Sequence, residues 1–259
     1  MSTQEIERQD QALFDQIALQ YGQKDRTLSS SIARKGQLLS ALQPLLKQTP
    51  SLGTVVDIGC GVGAPAQYLQ GFYDHYIGVD QSSEMIRVAE VLNQPCNKTQ
   101  FVASNIKAMT LPDHIADVVL VVGALHHMTD LEAVMGCLVK LAKPGAYLMV
   151  IEPQKANPLI QGMRWLRTKI DRGYSEDQIF FSEQELVDLL HQHNISIHDL
   201  TYRGFLSPPF AEVIIPPQFL SRHLSQWALT IDRWFDRYLP QPLHKLSFNI
   251  CITGVFPQA

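Results

Sequence analysis

Cysteine is scarce. Cys60, Cys96, Cys137 and Cys251 are the four in 259 residues, far apart and with no Cys-x-x-Cys pair. That spacing argues against a zinc site or other metal centre and against a disulfide framework, and its plain reading is reduced thiols in a cytoplasmic protein. Positive charge is in short supply as well: the formal net charge is −4, and Lys and Arg are scattered rather than striped. No field draws in a phosphate backbone, so nucleic acid is not an expected partner. No apolar run reaches the roughly 20 residues needed to cross a bilayer, and the polar N-terminus reads as neither signal peptide nor transmembrane helix. Peripheral membrane contact and the oligomeric state stay open. Apolar residues are plentiful, at 46%, enough over this length for one large domain or a domain with a lid.

The chain is organised around Val55-Val56-Asp57-Ile58-Gly59-Cys60-Gly61-Val62-Gly63. A β-branched run ends there in a glycine-spaced turn, and residues 64–70 restart as a helix. Glycines at 59, 61 and 63 can take positive φ and present no Cβ, so a ligand can approach bare backbone. The spacing Gly59-x-Gly61-x-x-Ala64 also satisfies the loose dinucleotide fingerprint. Asp57 breaks the tie, because a carboxylate at the end of the strand suits a positively charged group and repels a pyrophosphate.

This turn resembles the first motif of the class I S-adenosylmethionine-dependent methyltransferases, where an acid-x-Gly-x-Gly-x-Gly turn holds the amino acid end of the cofactor. Gly-Cys-Gly-Val-Gly-Ala-Pro-Ala is similar in wording to sterol and other small-molecule methyltransferases of the type 11 group. The resemblance implies an α/β, Rossmann-like fold: a seven-stranded, mostly parallel sheet with an antiparallel last strand, helices on both faces, and helical lid insertions. It also implies S-adenosyl-L-methionine as cofactor.

Two amphipathic helices precede the sheet within residues 1–50, with apolar residues at helical spacing from Ile6 to Tyr21 and from Ile32 to Leu46. Phe14-Asp15-x-x-Ala18-x-x-Tyr21 resembles the opening helix of quinone methyltransferases, which folds over the cofactor pocket, making Tyr21 and Arg34 candidates for contact. Tyr76-Ile77-Gly78-Val79-Asp80 is a buried-type strand ending in an acid placed to accept from ribose hydroxyls. Ser82 or Ser83 caps the next helix. The resemblance sets Gln81 and Met85 against the adenosine, and Asn105 with Ile106 against the adenine. Most relatives carry Asp where Asn105 stands, yet Asn keeps an acceptor oxygen.

Asp117 to Val122 is a near-continuous apolar run, as expected of a central parallel strand. At its end lies Gly123-Ala124-Leu125-His126-His127-Met128, where the family brings methyl group and acceptor together, so Gly123 is expected beside the cofactor. Imidazole as a side-chain type titrates near neutral pH, so His126 or His127 is a candidate base for a hydroxyl or acidic carbon, or else a support for the loop. The Asn/Asp-Pro-Pro-aromatic tetrapeptide of many base-amino methyltransferases is absent. Pro144-Gly145 turns into a fifth strand, Tyr147 to Pro153, with Glu152 facing the same crevice. Ser182-x-x-Glu185 is a capping box, a sixth strand covers 195–202, and the last covers 246–256.

Residues 154–181 and 203–245 exceed ordinary connections and read as lids around the acceptor. Trp165, Tyr174, Phe180 and Phe181 lie in the first. In the second, Leu220, Leu224, Trp227, Ile231, Trp234, Phe235 and Tyr238 form a stripe at helical spacing that has to be covered, by the domain, by an apolar acceptor, or by a membrane or partner. The expected activity is methyl transfer to oxygen or carbon of a small hydrophobic acceptor such as a phenol, quinone or isoprenoid. A silent cofactor-binding module and a nicotinamide oxidoreductase are the rivals.

Overall fold

The computed structural model describes residues 3–93, 97–155, 157–158, 162, 181–212 and 216–258. The apolar runs become strands in the expected order: β1 (Thr54–Ile58), β2 (His75–Asp80), β3 (Thr99–Ala103), β4 (Ala116–Val122), β5 (Ala142–Pro153), β6 (Ser196–Arg203) and β7 (Asn249–Val255). They form one seven-stranded sheet in the order β3-β2-β1-β4-β5-β7-β6. Strands β1 to β5 pair parallel, and β7 runs antiparallel to both β5 and β6. β5 starts earlier than Tyr147. Ala142 already pairs with Ala116 before Val118 pairs with Tyr147, so the Pro-Gly turn is a bulge inside the strand rather than its beginning.

Alternation along the central strands builds two cores. Val56, Ile58, Val119 and Val121 face α5 (Leu131–Leu141) and α6 (Glu183–Gln192), whereas Val55, Val118 and Leu120 face α2 (Leu28–Gln48) and α3 (Ala64–Tyr68). Burial of both faces is what makes β4 apolar from Val118 to Val122. A third cluster joins Phe14, Ile17 and Ala18 of α1 (Thr3–Arg26) to Met85 and Val88 of α4 (Ser83–Leu92), which holds α1 across the carboxyl ends of the strands. Ser82, not Ser83, caps α4, its hydroxyl accepting from the Met85 amide at 3.1 Å. The capping box at α6 forms with both of its arms.

The second insertion carries α7 (Pro208–Glu212), α8 (Gln218–Tyr238) and α9 (Gln241–His244). Of the covers the sequence leaves open for its apolar stripe, the structure shows neither the domain core nor the cavity. α8 packs on α2 through Ser221, Ser225, Ala228, Leu229 and Asp232, not through its apolar stripe. Leu220, Leu224, Trp227, Trp234 and Tyr238 stay exposed, and no member of the stripe lines the cavity described below. The reason is steric. Small residues let the two helices approach closely, with Leu229 seated over Gly36, where an added Cβ would come within 2.6 Å of it. Trp165, Tyr174 and Phe180 lie outside the described residues, as does Cys96. Phe181 is buried in the core beside α6.

Candidate functional site

The strand order reverses at β1, whose neighbours β2 and β4 lie on opposite sides, and such a switch leaves a crevice beyond the carboxyl ends of the strands. The crevice holds a cavity of about 380 Å³, within the roughly 300–1,000 Å³ usual for small-molecule sites. Every site residue named from the sequence lines it except Gly63. Gly63 sits at the N-terminus of α3 and faces Phe101 and Asn93, where a Cβ would come within 2.8 Å of both. Its role is packing. Gly61 has φ of 53°, and a Cβ built on it would meet nothing within 4 Å. That position opens onto the cavity, where bare backbone is available to a ligand.

Asp57 lies on the α2 face of β1 and is 1% exposed. The Tyr76 hydroxyl donates to its Oδ2, while its Oδ1 is buried with no hydrogen-bond partner among the described residues. Burial pushes its carboxyl up to about 7, helped by the charge of Asp80 and opposed by the Tyr76 hydrogen bond. A buried carboxylate oxygen with nothing to meet it is unfavourable until a donor or cation arrives. Asp80 is more fully engaged. Its Oδ2 accepts from the Gly61 amide and its Oδ1 from the Ser82 amide, both at 2.9 Å. Burial raises its carboxyl above the usual range against those two amides. Asp80 therefore braces the glycine turn as well as lining the cavity.

Asn105 likewise serves the fold. Its Oδ1 accepts from the Lys107 amide at 2.9 Å and caps the short 3-10 turn Ile106–Ala108, which leaves that oxygen one lone pair for any ligand. Arg34 donates through Nε to the Ala211 carbonyl at 3.1 Å and lies 3.3 Å from Asp25, tying α2 to α7 at the cavity wall.

The two histidines separate. His126 Nδ1 is 2.7 Å from Glu152 Oε2, and Glu152 is fully buried, its Oε1 accepting from the amides of Ala124 at 2.9 Å and Leu125 at 2.7 Å. In the tautomer whose Nδ1–H donates to that carboxylate, Nε2 is the nitrogen through which the ring can act as a base. His127 Nδ1 instead lies 3.2 Å from Asp10 of α1, and its ring meets Phe14 edge-on.

Sequence reasoning missed the acids of α1. Asp10 also accepts from Gln81 at 3.3 Å, and Asp15 accepts from the Ser82 hydroxyl at 2.6 Å. Glu7 accepts from Lys107, Thr129 and Asn105. Burial alone would raise its carboxyl, yet these bonds, Lys107 first, hold it below the ordinary range. The signal was present in the spacing: Glu7, Asp10, Phe14 and Tyr21 share one helix face, so this face is partly polar because it closes a polar cavity. Among the described residues no group of His, Cys, Asp and Glu is arranged to hold a metal ion.

Residues 56–150 match the family model for a methyltransferase domain. The chain is 32% identical to the 2-methyl-6-phytyl-1,4-hydroquinone methyltransferase of Synechocystis sp. over 41% of its own length and 34% of that protein's. It is 27% identical to the ubiquinone biosynthesis O-methyltransferase of a Bradyrhizobium species over 61% of this chain and 63% of the other. This chain thus spans about a third of the first relative and somewhat under two thirds of the second. Among solved structures, a SAM-dependent methyltransferase of Thermotoga maritima, titled a possible histamine N-methyltransferase, superimposes with a TM-score of 0.63. It shares 19% identity over 95% of this chain and 99% of that one. The fold is that of the class I methyltransferases.

Proposed function

We propose that this chain, which carries a methyltransferase domain, binds S-adenosyl-L-methionine and transfers its methyl group to oxygen or carbon of a small apolar acceptor. The observation that carries the reading is the unmet buried Oδ1 of Asp57 beside the open backbone of Gly61. A negative group next to backbone that no side chain covers fits a zwitterionic, cationic ligand and disfavours a pyrophosphate. The residues fit the cofactor in other respects too. Asp57 and Gly61 would hold the methionine portion, Asp80 and Gln81 the ribose, and Met85, Asn105 and Ile106 the adenine, with Tyr21, Arg34 and Gly123 closing the wall.

When bound, the cofactor supplies an electrophilic methyl group on its sulfonium. The chain itself aligns the acceptor and excludes water, the tasks that dominate such a displacement. α1 covers the opening through Glu7 and Asp10, and Phe14, Leu38, Met128 and Ile151 add apolar wall, which suits a hydrophobic acceptor. His126, oriented by Glu152, is the base that takes the acceptor's proton at Nε2, and His127 belongs to the α1 closure. Similarity to a hydroquinone methyltransferase and to a ubiquinone biosynthesis O-methyltransferase supports the acceptor class.

Calorimetry with S-adenosylmethionine and S-adenosylhomocysteine, followed by transfer of isotopic methyl to a panel of phenols and quinols, tests the whole. Saturable binding with transfer is expected. Binding without transfer across the panel would favour a silent module, and saturable NADH binding with no affinity for S-adenosylmethionine would overturn the assignment. Asp80→Ala should weaken S-adenosylhomocysteine by about 1–3 kcal/mol, the scale for losing a charged hydrogen-bonding partner. Because Asp80 also braces Gly61, the loss is measured against an analogue lacking both ribose hydroxyls. The substitution should hurt that analogue less, and an equal loss for both ligands would remove Asp80 from the ribose site.

A further inference from the structure

Helix α8 has two distinct faces. Ser221, Ser225, Ala228, Leu229 and Asp232 seat it on α2, where the Ser225 hydroxyl donates to the Ser29 carbonyl at 2.9 Å. Turned outward are Leu220, Leu224, Trp227, Trp234 and Tyr238, between 44% and 72% exposed. At 3.6 residues per turn these five fall on one strip roughly 80° wide. Leu243 and Leu246 just beyond the helix are exposed as well.

Charge is partitioned along with polarity. Arg233 and Arg237 lie on one flank of the same exposed side, about 100° and 60° round the helix from the nearer edge of the strip, and among the described residues neither pairs with a carboxylate; Arg222 stands beside buried Leu229, its Nε itself buried. Both acids of the helix are directed into the protein. Asp232 accepts from the amides of Phe205, Leu206 and Ser207, and Asp236 from Arg203 at 2.6 Å. The outward side thus carries only cationic charge, in a chain whose net charge is −4.

From this juxtaposition of an exposed Trp-and-Leu strip with two unpaired arginines, and no acid, on the same outward side, we propose that α8 docks in the plane of an anionic bilayer surface. Tryptophan and tyrosine favour the boundary between headgroups and acyl chains, and arginine meets lipid phosphate there. Among the described residues no helix is long and apolar enough to cross a membrane, so the contact is peripheral. A second copy of this chain suits the surface less well, because the outward side offers no acidic group to meet Arg233 and Arg237 of a twofold mate. The docking stands apart from the methyl-transfer reading and is tested without cofactor.

Full-length protein is floated with vesicles of mixed phosphatidylcholine and phosphatidylglycerol, and separately with phosphatidylcholine alone. Binding to the anionic vesicles is expected, weaker by at least about tenfold on neutral vesicles and in the Arg233→Gln/Arg237→Gln variant. Trp227→Ser/Trp234→Ser should lose binding by a similar factor; should that variant melt early, the arginine pair, which leaves the apolar strip in place, decides the matter. Brominated acyl chains should quench tryptophan emission of the wild type. No flotation with anionic vesicles, or flotation unchanged in the arginine variant, would overturn the proposal. So would a dimer in sedimentation that the tryptophan substitutions dissolve, since that assigns the strip to a second copy.

Discussion

Replacing His126 by Gln should lower turnover by about 10²- to 10³-fold, the range for removing a positioned base, while S-adenosylmethionine affinity stays within about twofold. Glu152→Gln is expected to do nearly the same, for a reason visible in the hydrogen bonds. The Gln carbonyl can still accept from Ala124 and Leu125, but its amide then faces His126 Nδ1 as a donor. The imidazole must answer with an unprotonated Nδ1 and carry its proton on Nε2, the nitrogen needed as a base. The two substitutions act on one proton path, so the double variant should be little worse than either alone. His127→Gln should change kcat only a few-fold, because that ring is engaged with Asp10 and Phe14. A positioning role for Glu152 moves kcat and its pH profile more than KM. Full turnover in His126→Gln across the pH range, or equal losses from the two histidines, would retire His126 as the base.

The difference between the two rings shows where the sequence stops being informative. The glycine turn, the acids at the ends of β1 and β2 and the order of the strands were legible because each rests on local spacing: a β-branched run, a turn, a restarted helix. The cavity wall followed from these, since parallel strands carry their carboxyl ends to one side. What could not be read were choices settled by tertiary contact. Nothing local distinguishes His126 from His127; the distinction arises because Glu152, 26 residues further on, lies on the neighbouring strand. Asn105 lines the cavity as the sequence suggests, but its second duty, accepting from the Lys107 amide to cap a 3-10 turn, is visible only in the structure. α8 was left undecided for another reason. Hydrophobic periodicity finds a helix but does not say which face the protein covers, and here close approach of Ser, Ala and Gly outweighed the larger apolar area of the Trp-rich strip.

Asp57→Asn is expected to move stability and binding in opposite directions. The carboxyl of Asp57 is raised from 3.8 to about 7, chiefly by burial, so between those pH values the folded chain keeps a proton that the unfolded chain has released. Stability of the ligand-free protein should therefore fall as pH rises from about 4 to about 7 and level off above, by an amount of order a few kcal/mol at roughly 1.4 kcal/mol per unit. Asn carries no such charge, so the variant should melt higher than wild type at about pH 8 and lose most of that slope, with Tyr76 still donating to the remaining oxygen. Binding runs the other way. A sulfonium and an ammonium in the cavity favour the ionised carboxylate, so wild-type affinity for S-adenosylmethionine should strengthen as pH rises through about 7, whereas the Asn variant should bind more weakly and with a flatter profile. Calorimetric melting and titration across this pH range measure both. A variant that melts lower than wild type at about pH 8, or one that binds S-adenosylmethionine as tightly with the same pH dependence, would show that the charge at Asp57 is neither a burden on the free protein nor a contact for its ligand.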